Sequence, residues 1–305
     1  MNRGVYPTMI TPYTKDGVVD YEAAKQLVTW YGQQGCSGIF AVCQSSEMFY
    51  LSLKERVKLA ETTVQAVKES GYAMSVVASG HISEEIEAQA EEITAIAQTG
   101  VDSVVLVSNR LDLHHDGDKV WIKNAEVLLS KLPEDVKLGI YECPYPYKRL
   151  LTEEIFRWCL STGRFSFIKD TCCDPDLLQK RLTLLKGTPI EIFNANAQTL
   201  LHSMQHGAAG YSGVMANFHP DLYVWLTEHW KEQPQLAEEV QAFLCLAAFT
   251  ESMAYPVTAK CYQGQYGVPM ELYSRSRDPK ELSNYQKLVV AQLRLMEEKL
   301  RAKLV

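Results

Sequence analysis

Short β-branched or apolar runs recur along this chain, each followed by a longer stretch with helical spacing, and the alternation repeats eight times. The runs that read as strands are Val5 to Thr11, Gly38 to Cys43, Ser75 to Ala78, Ser103 to Val107, Lys137 to Tyr141, Phe165 to Lys169, Ile190 to Ala195 and Gly210 to Val214. Between them lie amphipathic segments. Residues 20–34 place Ala23, Ala24, Leu27, Trp30 and Tyr31 on one face, and residues 53–70 turn Val57, Leu59, Ala60, Val64 and Val67 inward. Asp20, Ser52, Ser83 and Thr152 read as N-caps, while Gly35, Gly71 and Gly100 read as helix ends. Regular strand–helix–strand alternation requires parallel strands joined by crossovers, and eight such units close naturally into a (β/α)8 TIM barrel of the α/β class. An open doubly wound sheet is the competing architecture, but no GxGxxG follows the first run.

After His219-Pro220 the strand signal stops, and the remainder reads as helices through Arg301. The expected organisation is a barrel over residues 1–219 and a C-terminal helical extension over 220–305, with no low-complexity linker between them. Thirty Lys+Arg against 37 Asp+Glu leave a net charge of −7, so no field draws the chain to nucleic acid or to an anionic membrane. No apolar run approaches the ~18 residues of a membrane span, and the opening MNRGVYPTMITPY lacks the apolar centre of a secretory signal, which points to a cytoplasmic protein. Eight cysteines without CxxC spacing read as reduced thiols rather than as disulfides or a zinc site.

In a barrel of this kind, ionisable residues at the C-terminal ends of strands face the active-site mouth. The sixth run, RFSFIKD, ends in Lys169. A desolvated lysine there loses its proton more readily and can attack a carbonyl as a free amine. The alternative is a lysine paired with Asp170 or reaching out to solvent. Tyr141 ends the neighbouring fifth run, close enough on an adjacent strand to share a small substrate with Lys169. After the second run, the turn Gln44-Ser45-Ser46 offers backbone N–H groups and hydroxyls to a carboxylate. Asn194 and Ala195 at the end of the seventh run, Asn196 beyond it, and His81 after the third are further candidates for polar contact with substrate. The segment His114-His115-Asp116-Gly117-Asp118 reads as a loop rather than a metal site, and Cys172-Cys173 as unreactive thiols beside acidic neighbours.

Taken together, PTMITPY, CQSSEMFYLS, YECP and FIKD, in this order and spacing, resemble the dihydrodipicolinate synthase and N-acetylneuraminate lyase family. That family consists of Schiff-base (class I) aldolases on a (β/α)8 barrel with a C-terminal helical extension. The resemblance implies that Lys169 forms an imine with a 2-oxo acid, that Tyr141 relays protons to it, and that Ser45 helps hold the substrate carboxylate and hydrogen-bonds that tyrosine. Ser212 matches a position whose backbone borders the pocket, and Gln44 and Ser46 fall within the carboxylate-binding motif. The chain departs from the pattern: Gln44 replaces a hydroxyl residue, Ser46 a glycine, Pro146 an arginine and Leu111 an interface aromatic. These departures speak against dihydrodipicolinate synthesis. The expected function is reversible aldol cleavage of a 2-keto-3-deoxy sugar acid or a related 2-oxo acid, with no metal and no organic cofactor, because the protonated imine is itself the electron sink. Dihydrodipicolinate synthesis and non-catalytic binding of a 2-oxo acid are the alternatives. The resemblance also implies a homo-oligomer, dimer or tetramer.

Overall fold

The computed structural model describes residues 1–304. Eight parallel strands run in the order β1-β8-β7-β6-β5-β4-β3-β2: β1 (Gly4–Val5), β2 (Gly38–Phe40), β3 (Ser75–Ala78), β4 (Ser103–Val107), β5 (Leu138–Tyr141), β6 (Phe165–Asp170), β7 (Glu191–Asn194) and β8 (Gly210–Tyr211). A parallel bridge from Thr8 to Phe40 joins the chain after β1 to β2 and closes the ring. Crossover helices follow each strand: α1 (Tyr21–Gln33), α2 (Leu53–Ser70), α3 (Ile86–Ala97), α4 (Asp118–Ser130), α5 (Glu153–Thr162), α6 (Pro175–Leu185), α7 (Leu200–Gln205) and α8 (Pro220–His229). The fold is therefore a TIM barrel, extended by α9 (Pro234–Ala247), α10 (Val257–Tyr266) and α11 (Asn284–Arg301).

Strands β3 and β4 are buried at every position, as strands covered by helices outside and side chains inside must be. The interior is filled by aromatic rings: Phe193 lies 4.6 Å from Tyr6 and 4.8 Å from Phe167, and Phe40 lies 5.9 Å from Phe167. Glycine at 38 is required by this packing, since a Cβ there would fall 2.2 Å from the Tyr6 ring. The first and last strands are shorter than their apolar runs. The last ladder bond from this strand to β8 is Tyr6 N–H to Tyr211 O at 2.8 Å, because Pro7 has no N–H to donate, and beyond β8 the chain turns into one short helical turn over Val214–Asn217.

Asp20 caps α1 through Glu22 N–H and Ala23 N–H, Ser52 and Glu55 form a reciprocal capping box on α2, and Thr152 caps α5. Ser83 does not cap a helix. Its hydroxyl and N–H are drawn to Glu92, which is held in turn by Arg56 at 3.0 Å, so α3 starts three residues later.

Candidate active site

Lys169 and Tyr141 are directly paired in register across β5 and β6. Strand alternation turns Lys169 into the barrel and its successor, Asp170, outward. There Asp170 meets Arg181 of α6, which also binds Glu142, the residue after Tyr141, at 2.8 Å. One guanidinium thus clamps the outer faces of both strand ends. Burial and repulsion from Asp170 push the Glu142 carboxyl up to about 7, with Arg181 opposing.

With Asp170 engaged elsewhere, Lys169 Nζ has no ion pair or hydrogen bond among the described residues. It lies 4.3 Å from the centre of the Tyr141 ring and 5.6 Å from that of Phe40, and the residue is only 4% exposed. Desolvation lowers its pKa, partly countered by Cys43, Cys143 and Glu251. Burial pushes the Tyr141 phenol well above its ordinary range, so it stays protonated and acts as a donor.

Above the amine opens a cavity of about 530 Å³. Gln44, Ser45, Tyr141, Lys169 and Ala195 all line it. The Gln44 and Ser45 N–H groups follow a strand end and donate to no acceptor among the described residues, an arrangement suited to a carboxylate.

Tyr141 does not hydrogen-bond Ser45. Its hydroxyl donates to Gln44 Oε1 at 3.2 Å, while Ser45 Oγ donates to Thr8 Oγ1 at 3.0 Å. The longer Gln44 side chain reaches across to the phenol and leaves Ser45 to the neighbouring first strand.

Three other expected residues lie outside the lining. Ser46 Oγ donates to Met9 O at 2.6 Å and shapes the turn from behind. Asn194 Nδ2 is spent on Thr199 and Ser203. Ser212 is fully buried, and Gly213 and Val214 border the cavity in its place. His81 is also absent from the lining: its ring bridges Val107 N–H and Gln89, and burial lowers its pKa to about 4. Asn196 does reach the cavity, although its side chain caps the turn at Thr199. In the His114–Asp118 segment Asp118 is bound to Arg149 at 2.6 Å, and no three ligating side chains among the described residues could hold a metal ion.

The sequence reading missed the contribution of the extension. Glu251, Tyr255, Ser276 and Arg277 complete the rim. Glu251 leaves much of its side chain exposed, and partial desolvation raises its carboxyl against the pull of Lys169. Tyr255 Oη accepts from Asn217 Nδ2 at 3.2 Å, and that amide is itself fixed by Tyr31, whose hydroxyl donates to Asn217 Oδ1 at 2.6 Å. Glu47 of the second loop accepts from Lys260 Nζ, Ser274 Oγ, Arg275 N–H and Ser276 N–H, at 3.0, 2.8, 2.6 and 2.8 Å, and so ties the strap that carries Ser276 and Arg277 to the rim. No local pattern marks these residues, which are far in sequence from the strand ends they join.

Residues 1–109 match the model of the dihydrodipicolinate synthetase family. A 4-hydroxy-tetrahydrodipicolinate synthase of Methanococcus maripaludis strain C7 is 26% identical over 235 residues, 74% of each chain. A probable 2-dehydro-3-deoxy-D-pentonate aldolase, YjhH of Escherichia coli K12, is 23% identical over 235 residues, 75% of this chain and 74% of its own. A catalytic lysine mutant of the Ruminococcus gnavus sialic acid aldolase superposes over 99% of this chain and 98% of its own, with a TM-score of 0.86 at 17% identity. The chain is thus similar to the dihydrodipicolinate synthetase family over its first 109 residues, and it shares the fold of that family's solved structures and of the sialic acid aldolases.

Proposed function

We propose that the protein catalyses reversible aldol cleavage of a 2-keto-3-deoxy sugar acid, or a related hydroxylated 2-oxo acid, through an imine at Lys169. The free amine adds to C2 of the substrate, and Tyr141 supplies the proton with which the carbinolamine hydroxyl leaves as water. Loss of the C4 hydroxyl proton breaks the C3–C4 bond, sends its electron pair into the protonated imine, and releases an aldehyde. Protonation of the resulting enamine at C3 and hydrolysis return pyruvate and the free lysine. The backbone N–H groups of Gln44 and Ser45 hold the carboxylate, and Ala195 forms part of the wall.

The observation that carries this reading is a desolvated lysine at the base of a cavity, with no ion pair among the described residues. The likeness to a probable 2-dehydro-3-deoxy-pentonate aldolase supports the substrate class, and so does Pro146, which leaves the position of the synthases' arginine without a charge. Borohydride reduction in the presence of pyruvate tests the chemistry. A reduced adduct mapped to Lys169 by mass spectrometry, absent in Lys169→Ala, is the expected result; no adduct in the wild type, with pyruvate still bound, identifies a binder instead. Pyruvate release from a panel of 2-keto-3-deoxy acids tests the substrate. Consumption of pyruvate only with aspartate semialdehyde would instead favour the synthase activity named for the Methanococcus relative. The same reading expects a cytoplasmic homo-oligomer, a dimer or tetramer, which sedimentation of the full chain tests.

A further inference from the structure

The hydroxyl expected to greet the substrate carboxylate is already committed. Ser45 Oγ gives its proton to Thr8 Oγ1, so it turns lone pairs, not a donor, towards an arriving anion. The Tyr141 proton is aimed at Gln44 Oε1. The cavity nevertheless contains a third hydroxyl in the opposite condition. Tyr255 lines the wall with Ser45 and Lys169. Its oxygen accepts from Asn217 Nδ2, and among the described residues its own proton has no acceptor. Tyr31, Thr8 O and Val214 O fix the Asn217 amide at 2.6, 2.9 and 2.9 Å, so the phenol is held from behind by a buried anchor. A protonated phenol held this way, next to the open N–H groups of Gln44 and Ser45, is a built donor for one carboxylate oxygen.

We infer that Tyr255, contributed by the C-terminal extension of the same chain, donates its hydroxyl proton to the carboxylate of the bound 2-oxo acid and thereby fixes the ketone over Lys169. This deepens the proposed function and rests on it for the identity of the ligand. The interaction is a hydrogen bond to a charged acceptor, and losing such a bond weakens binding by about 10–100-fold.

The test uses Tyr255→Phe in the full chain, trapped with borohydride against pyruvate and against acetone, a ketone without the carboxylate. Half-maximal trapping should need at least ten times more pyruvate in the variant than in the wild type, while acetone trapping stays unchanged and shows that the fold and the amine are intact. Unchanged pyruvate dependence overturns the proposal, and so does an equal loss with both ketones, which makes Tyr255 a prop for its loop. Calorimetric binding of pyruvate to Lys169→Ala, with and without Tyr255→Phe, reads the same contact where no imine can form. A tenfold weakening there supports the role of Tyr255 even if the wild type yields no adduct and the proposed chemistry fails; equal affinities refute it.

Discussion

Lys169 is a lysine that the fold makes unstable in its charged form. The unfolded chain holds its proton up to about 10.5, the ordinary value, whereas desolvation lowers the folded value. Between the two the unfolded state binds more protons, so this residue's contribution to stability rises with pH through that window and is least favourable below it. Lys169→Met should therefore stabilise the protein at pH 7 by about 0.5–2 kcal/mol while abolishing the imine. The gain should shrink as pH approaches 10, which thermal melts of both proteins at several pH values would check. A gain that stays constant with pH would mean that Lys169 titrates normally. The strand-end position of Lys169 was legible in the sequence, because apolar strands covered on both faces make a terminal lysine conspicuous. Strand alternation turns Asp170 to the outer face, but the partner that holds its carboxylate there, Arg181 on a helix beyond the strand, was not legible.

At the scale of elements, β5 and β6 are held in register at their mouth ends by the Arg181 clamp on Glu142 and Asp170. Removing the guanidinium leaves two carboxylates buried side by side, so Arg181→Leu should cost about 3–5 kcal/mol of stability at pH 8, measured by denaturant unfolding. The sign of the pH dependence follows from Glu142, whose folded value near 7 stands above its unfolded 4.5. In that window the folded state holds the extra proton and stability falls as pH rises. Without Arg181 the Glu142 carboxyl should rise further, and the deficit of the variant should narrow when pH is lowered from 8 to 6. A deficit unaffected by pH would show that the lost stability came from packing alone. The helix starts at Asp20, Ser52 and Thr152 were readable because a cap and its first turn are close in sequence. Ser83 misled because Glu92, farther along α3 and held by Arg56 of α2, draws its hydroxyl and N–H away from the helix start.

Across the whole molecule, the extension is part of the cavity rather than an attachment to it. Glu47 and Lys260 form an ion pair with both side chains almost fully buried, and desolvation lowers the lysine to about 8 despite its partner. Glu47→Gln weakens the acceptor that gathers Ser274, Arg275 and Ser276. Amide hydrogen exchange over residues 273–277 should then speed up at least tenfold while α2 and the strands keep their protection. Unchanged exchange in the strap would assign its order to Arg275 and Glu55, paired at 2.7 Å, instead. The expected division of the chain after residue 219 falls just before α8, which packs on β1 and β8 as the barrel's own last helix. We place the start of the extension at Pro234, where α9 begins.

By itself, the sequence determined the number of strand–helix units, the parallel barrel they make, and the placing of Lys169 and Tyr141 at neighbouring strand ends. All of these follow from periodicity, which is written over a few consecutive residues. The tertiary structure alone decided which hydroxyl meets which partner, that Ser46, Asn194 and Ser212 stay outside the cavity lining, and that Glu251, Tyr255 and Arg277 close its rim. Those outcomes depend on side-chain reach and on the paths of loops distant in the chain, and neither leaves a repeating mark in the order of the residues.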